Sequence, residues 1–406
     1  QHGVGAGTLR PAFSALPPAM RSALRRPARL ALTLGLLAAG GAMFITALNV
    51  SRAWERNLDK FYETRFYDVE FRFYTPQPIE VAERLRQVSG VRIAEAWGYS
   101  EAAFSRPGQI DIARTYPDGR HASFAVSALP PETQLVRFPL LAGRWLAPGD
   151  ADAVVLNHSA AAQARRIQIN AEVGSKITLS LEGRSSTWTV AGIVEEIGMT
   201  PAAYLTDAAF AKATDTAGRA RVLRIATTAK SPQERIAVIH AIERTLEEAG
   251  VAVEQGLSIA EHRTAVGDHI VILILTLMAM ALVMAIVGAL GLASTMGIGV
   301  VERTREIGVL KTIGATRARV ARMILAEALF IGLLSWVLAF LLALPLTAFL
   351  DWLIGNLGFL AALPFVLSPA APFLWLALVL GVSLLATLLP ARRASGLVVR
   401  DALAYE

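Results

Sequence analysis

The chain has 406 residues, 54% of them hydrophobic and 18% charged, well to the apolar side of a soluble globular protein. Its net charge of +6 comes from arginines gathered beside apolar runs, with no nucleic-acid-binding motif, so a membrane rather than nucleic acid explains the basic excess. The absence of cysteine excludes disulfides, thiolate nucleophiles and Cys-ligated metal.

The chain opens on Gln1, and residues 1–29, with Gly3, Gly5, Gly7, Pro11, Pro17 and Pro18, read as a cytoplasmic linker entering from something upstream, so the sequence is expected to be a piece of a longer polypeptide. Residues 30–50, 270–298, 324–350 and 372–389 are each long and apolar enough, at about 20 residues, to cross a hydrocarbon core as helices. A signal peptide is the alternative for the first, but its apolar run exceeds the roughly 7 to 15 residues of a signal core. Arg21, Arg25, Arg26 and Arg29 precede the first span. Arg303, Arg305, Lys311, Arg317, Arg319 and Arg322 lie between the second and third, and Arg392, Arg393 and Arg400 follow the fourth. The loop 351–371 has no Lys or Arg. The positive-inside bias then places both termini and the 301–323 loop in the cytoplasm, and residues 52–268 outside.

Within 52–268 a pattern occurs twice. Residues 68–74 alternate as a strand, 78–88 carry helical spacing and 91–97 are extended; residues 221–228, 232–249 and 251–254 repeat that order. Both copies have Pro-Gln near the helix start (Pro76-Gln77, Pro232-Gln233) and Gly-Val at its exit (Gly90-Val91, Gly250-Val251). Two βαβ units make one small α+β layer, with chance similarity as the alternative. Between them, about 100–218, turn-punctuated strands such as 176–181 and 187–194 indicate a β-rich insertion whose ends lie close together on that layer. Residues 259–268 keep helical composition into the second span, as a stalk would. The expected fold is an α-helical membrane protein with four transmembrane helices plus a large α+β extracytoplasmic domain, a split βαβ pair with a β-rich insertion.

No phosphate-binding G-x-x-x-x-G-K-[ST] loop is present, so the chain is not expected to hold a nucleotide in the P-loop manner. Gly3-Val4-Gly5-Ala6-Gly7 lacks a preceding strand and reads as flexible linker. His2, His121, His158, His240, His262 and His269 show no metal-site spacing and read as solvated or capping residues. Glu195-Glu196 reads as a solvated edge rather than a carboxylate pair, and Gly98-Tyr99-Ser100-Glu101-Ala102 lacks the second Gly of a nucleophile elbow. No catalytic residue, metal or cofactor is expected on this chain. The spans are almost free of ionisable groups, which disfavours a proton- or ion-coupled carrier.

Two patterns remain. Ala281, Ala285, Ala289, Ala293 and Gly297 recur every four residues in the second span; they read as a ridge for close helix approach, or as the Ala abundance of the chain. Between the second and third spans, Ile307, Leu310 and Ile313 recur every three residues while Glu302, Arg303, Arg305, Glu306 and Lys311 occupy other faces. That suits a short amphipathic element with one apolar stripe seated on something and a polar remainder free for a partner.

The motif Glu302-Arg303-Thr304-Arg305-Glu306-Ile307-Gly308-Val309-Leu310-Lys311-Thr312-Ile313-Gly314-Ala315, Glu327 and the tail Pro390-Ala391-Arg392-Arg393-Ala394 ending in Asp401-Ala402-Leu403-Ala404-Tyr405-Glu406 resemble FtsX/MacB-type permease subunits of ABC transporters. The resemblance is specific over about 260–406 and topological over 52–259. It implies a cytoplasmic ABC ATPase dimer that carries ATP and Mg, and a second permease half or copy in the membrane. It also implies that Glu302, Arg303, Arg305, Glu306, Gly308, Leu310, Lys311, Gly314 and Ala315 belong to the ATPase-coupling element. The split βαβ pair becomes the membrane-proximal subdomain and the insertion the distal one, moved by ATP hydrolysis. The tail departs from the family in reading Gly396-Leu397-Val398-Val399-Arg400-Asp401 where Asp-Pro or similar is usual. The opening at Gln1 resembles the second half of two-half permeases. Export or lipoprotein extraction, with a possible extracytoplasmic substrate or adaptor, is the leading expectation; a signalling scaffold that regulates a cell-wall hydrolase without transport is the alternative, and a membrane-anchored enzyme lacks its acid-base constellation.

Overall fold

The computed structural model describes residues 27–105, 123–196, 201–358 and 363–396. The Gly3–Gly7 string, His2, His121, most of the N-terminal linker and the tail from Leu397 to Glu406 lie outside the described residues. The rest forms two compact units, one helical and one α/β.

The α/β unit is built on a long sheet. Strand β1 (Val69–Pro78) buries Val69, Phe71 and Phe73 by simple alternation, and helix α1 (Pro27–Glu63) precedes it. Helix α2 (Glu80–Arg86) leads to β2 (Val91–Phe104). The second copy of the pattern gives β9 (Arg219–Thr227), α5 (Pro232–Glu248) and β10 (Val253–Ser258). Helix α5 starts on a capping box: Ser231 Oγ accepts from the Glu234 N–H at 3.2 Å, and Glu234 accepts from the Ser231 N–H at 3.4 Å. The repeated Gly-Val exits have a backbone reason. Gly90 and Gly250 have φ of +91° and +68°, where a side chain is strained.

These strands run antiparallel in the order β10-β1-β9-β2, the split βαβ arrangement, with α2 and α5 packed over Phe71, Leu85, Leu223, Ile242 and Leu246. Because β2 and β9 are neighbours, the insertion leaves and rejoins the layer at adjacent strands.

The sheet then continues into the insertion. Residues 91–97 of β2 pair with β9, while 98–103 pair with β3 (Ser123–Leu129). Gly98 marks the passage: a Cβ there would meet the Phe210 ring at 2.7 Å. Beyond β3 come β8 (Ala202–Thr206), β5 (Ala153–Asn157), β7 (Arg184–Val194) and β4 (Leu140–Gly143), while β6 (Lys176–Leu181) pairs with β2 and β7. The expectation of turn-punctuated strands alone was incomplete. Helices α3 (His158–Arg166) and α4 (Asp207–Thr214) start on side-chain caps from Asn157 and Thr206, and β3–β8 and β5–β7 are parallel. Strands β5 and β8 are buried at every residue, so their sequences do not alternate.

The helical unit draws on α1, α6 (Ile259–Glu302), α7 (Thr304–Thr312), α8 (Arg317–Gly358) and α9 (Ala370–Gly396). The four long ones are apolar enough to cross a membrane. Gly41 of α1 lies against the Trp375 indole, where no side chain fits, and Leu37, Ile45, Ala339, Ala343 and Val379 complete that core.

Two boundaries differ from expectation. Helix α1 runs on to Glu63, and its last turns lie beside the start of α6 within the α/β unit: Arg263 pairs with Asp59, and the Tyr62 hydroxyl meets His262 Nδ1 at 2.9 Å. His262, read as solvated or capping, is therefore half-buried against an aromatic partner. Helix α8 continues into the first part of the expected loop, to Gly358, so Asp351 is a buried helical residue, and neither of its carboxylate oxygens has a hydrogen-bond partner among the described residues.

Candidate functional site

Helix α7 follows α6 after one residue, Arg303, whose φ/ψ of −105°/16° breaks the helix. The Arg303 guanidinium makes two bonds to Glu327 of α8, at 3.1 and 3.4 Å. Ile307 and Gly308 are buried, Ile307 among Leu34, Met296, Val320, Ile324 and Ala391, which belong to all four long helices. At the far end Lys311 Nζ donates to the Ser395 carbonyl of α9 at 2.8 Å. Burial, with Arg317 beside it, lowers the Lys311 pKa from its ordinary value.

Helix α7 ends on a Schellman motif. The Ala315 N–H donates to Leu310 O at 3.0 Å and the Gly314 N–H to Lys311 O at 3.1 Å, with Gly314 at φ +97°. This gives the Gly314-Ala315 pair of the motif a backbone role.

The apolar stripe did not come out as read. Ile307 is seated, but Leu310 is 41% exposed and Ile313 78% exposed, with Val309 beside them. A three-residue step falls about 60° short of a full turn, so three such positions fan round the helix instead of stacking. The consequence is an outward apolar patch of Val309, Leu310 and Ile313, flanked by exposed Glu302, Arg305 and Glu306. A helix held on one side and apolar on the other is suited to gripping a protein.

The small-residue ridge divides. Ala281 and Ala285 are buried against α1 of the same chain, where a Cβ on Gly40 would lie 3.2 Å from Ala281 O and 3.5 Å from Ala285 N. Gly288, one turn on, faces Leu37. Ala289 and Ala293 are only half-buried, and Gly297 has open space around it. A four-residue step overshoots a turn by about 40°, so the ridge winds round α6 and cannot present one face from Ala281 to Gly297.

The α/β unit holds two buried ionic clusters that were not read from the sequence. The sequence places Glu196 on a solvated edge. It is instead 2% exposed, paired with Arg65 at 2.5 Å, and accepts from Asn157 Nδ2 at 3.0 Å and the Tyr204 hydroxyl at 2.6 Å. Burial, then the Glu196 charge, push the Tyr204 phenol well above its ordinary value. In the second cluster Arg224 bonds Glu70 at 2.8 Å and lies 4.0 Å over the Trp97 ring. Burial acts to raise the Glu70 carboxyl, but the charge and hydrogen bond of Arg224, then Arg72, outweigh it and hold it below the ordinary carboxylate value. Single charged residues in strands carry no mark of a distant partner; the only sequence signal was an Arg or Glu at an inward position.

Four helices long and apolar enough to cross a membrane, a short helix between two of them and a sheet-based domain between the first two define a polytopic membrane protein. Residues 278–399 match the family described as FtsX-like permease C-terminal. Similar proteins include the ABC transporter permease YtrF of Bacillus subtilis (strain 168), 41% identical over 58 residues, 14% of this chain and 13% of that one. The macrolide export ATP-binding/permease protein MacB of Escherichia coli (strain K12) is 35% identical over 133 residues, 31% of this chain and 18% of that one. The matches thus span well under two thirds of those relatives' length. The periplasmic region of MacB from Actinobacillus actinomycetemcomitans aligns with 52% of this chain and 97% of its own, at 13% identity and a TM-score of 0.33. Residues 278–399 are thus similar to the C-terminal domain of FtsX-like permeases, and part of the chain is similar to ABC transporter permeases of the MacB type.

Proposed function

We propose that this permease couples ATP hydrolysis by a cytoplasmic ABC ATPase dimer to movement of its α/β domain, for export or for extraction of a lipoprotein or lipid. ATP and Mg reside on the ATPase; this chain binds no cofactor and performs no catalysis. The membrane is the cytoplasmic one, both termini face the cytoplasm, and a second permease half or copy completes the membrane part. The observation that carries the reading is α7, anchored through Ile307 to all four long helices while Val309, Leu310 and Ile313 stand exposed. Exposed apolar side chains rimmed by charge favour a protein partner. The small number of ionisable groups in the spans favours transmitted motion over a polar path through the bilayer.

The test is purification from native membranes through a tag on this chain after mild solubilisation. An ABC ATPase is expected to come with the wild type and to be lost from Ile313→Asp and Leu310→Asp, since a charge in an apolar contact is left desolvated. An ATPase that stays bound to both variants, or no ATPase with the wild type, would reject the coupling role of α7.

A further inference from the structure

A part-buried ion pair sits where α6 gives way to α7. Arg303 is the one residue between the two helices, and the bond from its N–H back to Gly299 O is long at 3.3 Å. A one-residue break with a stretched bond on its N-terminal side is a point at which α7 can change its angle to α6. Across from it, Glu327 exposes 8% of its side chain, and the guanidinium meets its two oxygens with separate nitrogens. Its helix neighbours Ile324, Ala328 and Ile331 are buried apolar residues. Pulling the pair apart would leave a carboxylate unpaired in apolar surroundings, and the two-bond geometry fixes direction as well as distance.

We infer that Arg303 and Glu327 are positioning residues: their pair locks the angle of α7 at the break and carries force from α7 into α8. The inference rests on the coupling reading of α7 and adds the route by which its movement reaches the third span. Neither residue belongs to the exposed Val309, Leu310 and Ile313 patch, so transmission and ATPase docking are separable.

The experiment is a double-mutant cycle in the native complex, purified through a tag on this chain. R303Q, E327Q and R303Q/E327Q are compared for ATPase retained and for ATP hydrolysis per retained ATPase. Each single variant is expected to retain the ATPase and lose about tenfold in hydrolysis, and the double variant to lose no more than either single, because both remove the same link. A merely structural pair would alter yield or retention without this non-additive loss per retained ATPase. Wild-type hydrolysis in E327Q, additive losses in the double variant, or loss of the ATPase from E327Q, which misfolding would also produce, would each overturn the inference. Ile313→Asp and Leu310→Asp separate the two claims: if both keep the ATPase the docking reading fails, whatever the cycle gives.

Discussion

Glu196 and Arg65 lie 131 residues apart in the chain and meet in the interior of the α/β unit, where the Arg65 guanidinium also lies 3.6 Å over the Phe61 ring. Arg65 lies two residues past the end of α1, so the pair ties the end of that helix to the insertion. Removing one member of a buried pair strands the other, which costs about 3 to 5 kcal/mol. Glu196→Ala is accordingly expected to destabilise the α/β unit by about that amount. Faster hydrogen exchange in β5, β7 and β8 of the full chain would report it, and wild-type protection would count against it. The pair at Glu70 adds a pH dependence. Its folded carboxyl is held below the unfolded value, so the stabilisation is present above the unfolded value and is lost as pH falls through the folded one. Wild type should therefore lose more thermal stability than Glu70→Gln between neutrality and about pH 3. Parallel losses in both proteins would show that Glu70 contributes no acid sensitivity.

At the scale of elements, repetition and capping were legible where a pattern is local. The two βαβ units could be read because their alternation, helical spacing and glycine exits all fall within short windows. Helices α3 and α4 were missed because His158–Arg166 and Asp207–Thr214 are short and Ala-rich; the caps at Asn157 and Thr206 were the available signal. The α7 stripe and the α6 ridge each hold over only part of their length for a shared reason, since integer spacings of three or four do not follow a 3.6-residue turn over several repeats. The corrected ridge makes a prediction. Ala285→Leu forces a larger side chain into the α1 contact and should cost about 1 to 3 kcal/mol, whereas Ala293→Leu, half-exposed, should be milder. Thermal unfolding of the full chain in detergent distinguishes them, and equal losses would contradict the divided ridge. Gly314→Ala belongs here too. A Cβ has open space but φ of +97° is strained for it, so α7 should lose about 1 kcal/mol of terminal stability without a steric clash. Exchange protection at the Ala315 amide would read that loss.

For the whole molecule, four spans and an arginine excess at alternate loops were legible because hydrocarbon thickness and membrane charge act on every residue of a segment. Ionic contacts between distant residues, such as Arg303 with Glu327, were not, because nothing local records them. Orientation follows from the same charge argument and can be tested without background, since the native chain has no cysteine. Thr187 and Thr228 are exposed residues of the α/β unit, and Thr316 is exposed between α7 and α8. With one span before the α/β unit and one after it, residues 187 and 228 share a side and residue 316 takes the other. In the proposed orientation that other side is the cytoplasmic one, which the arginines around α7 and at the end of α9 favour. Thr187→Cys and Thr228→Cys should therefore react with an impermeant thiol reagent applied to cells whose outer barrier admits it, and Thr316→Cys only after the cytoplasmic membrane is opened. Labelling of Thr316→Cys before the other two would invert the chain in the membrane and remove α7 from the reach of any cytoplasmic ATPase.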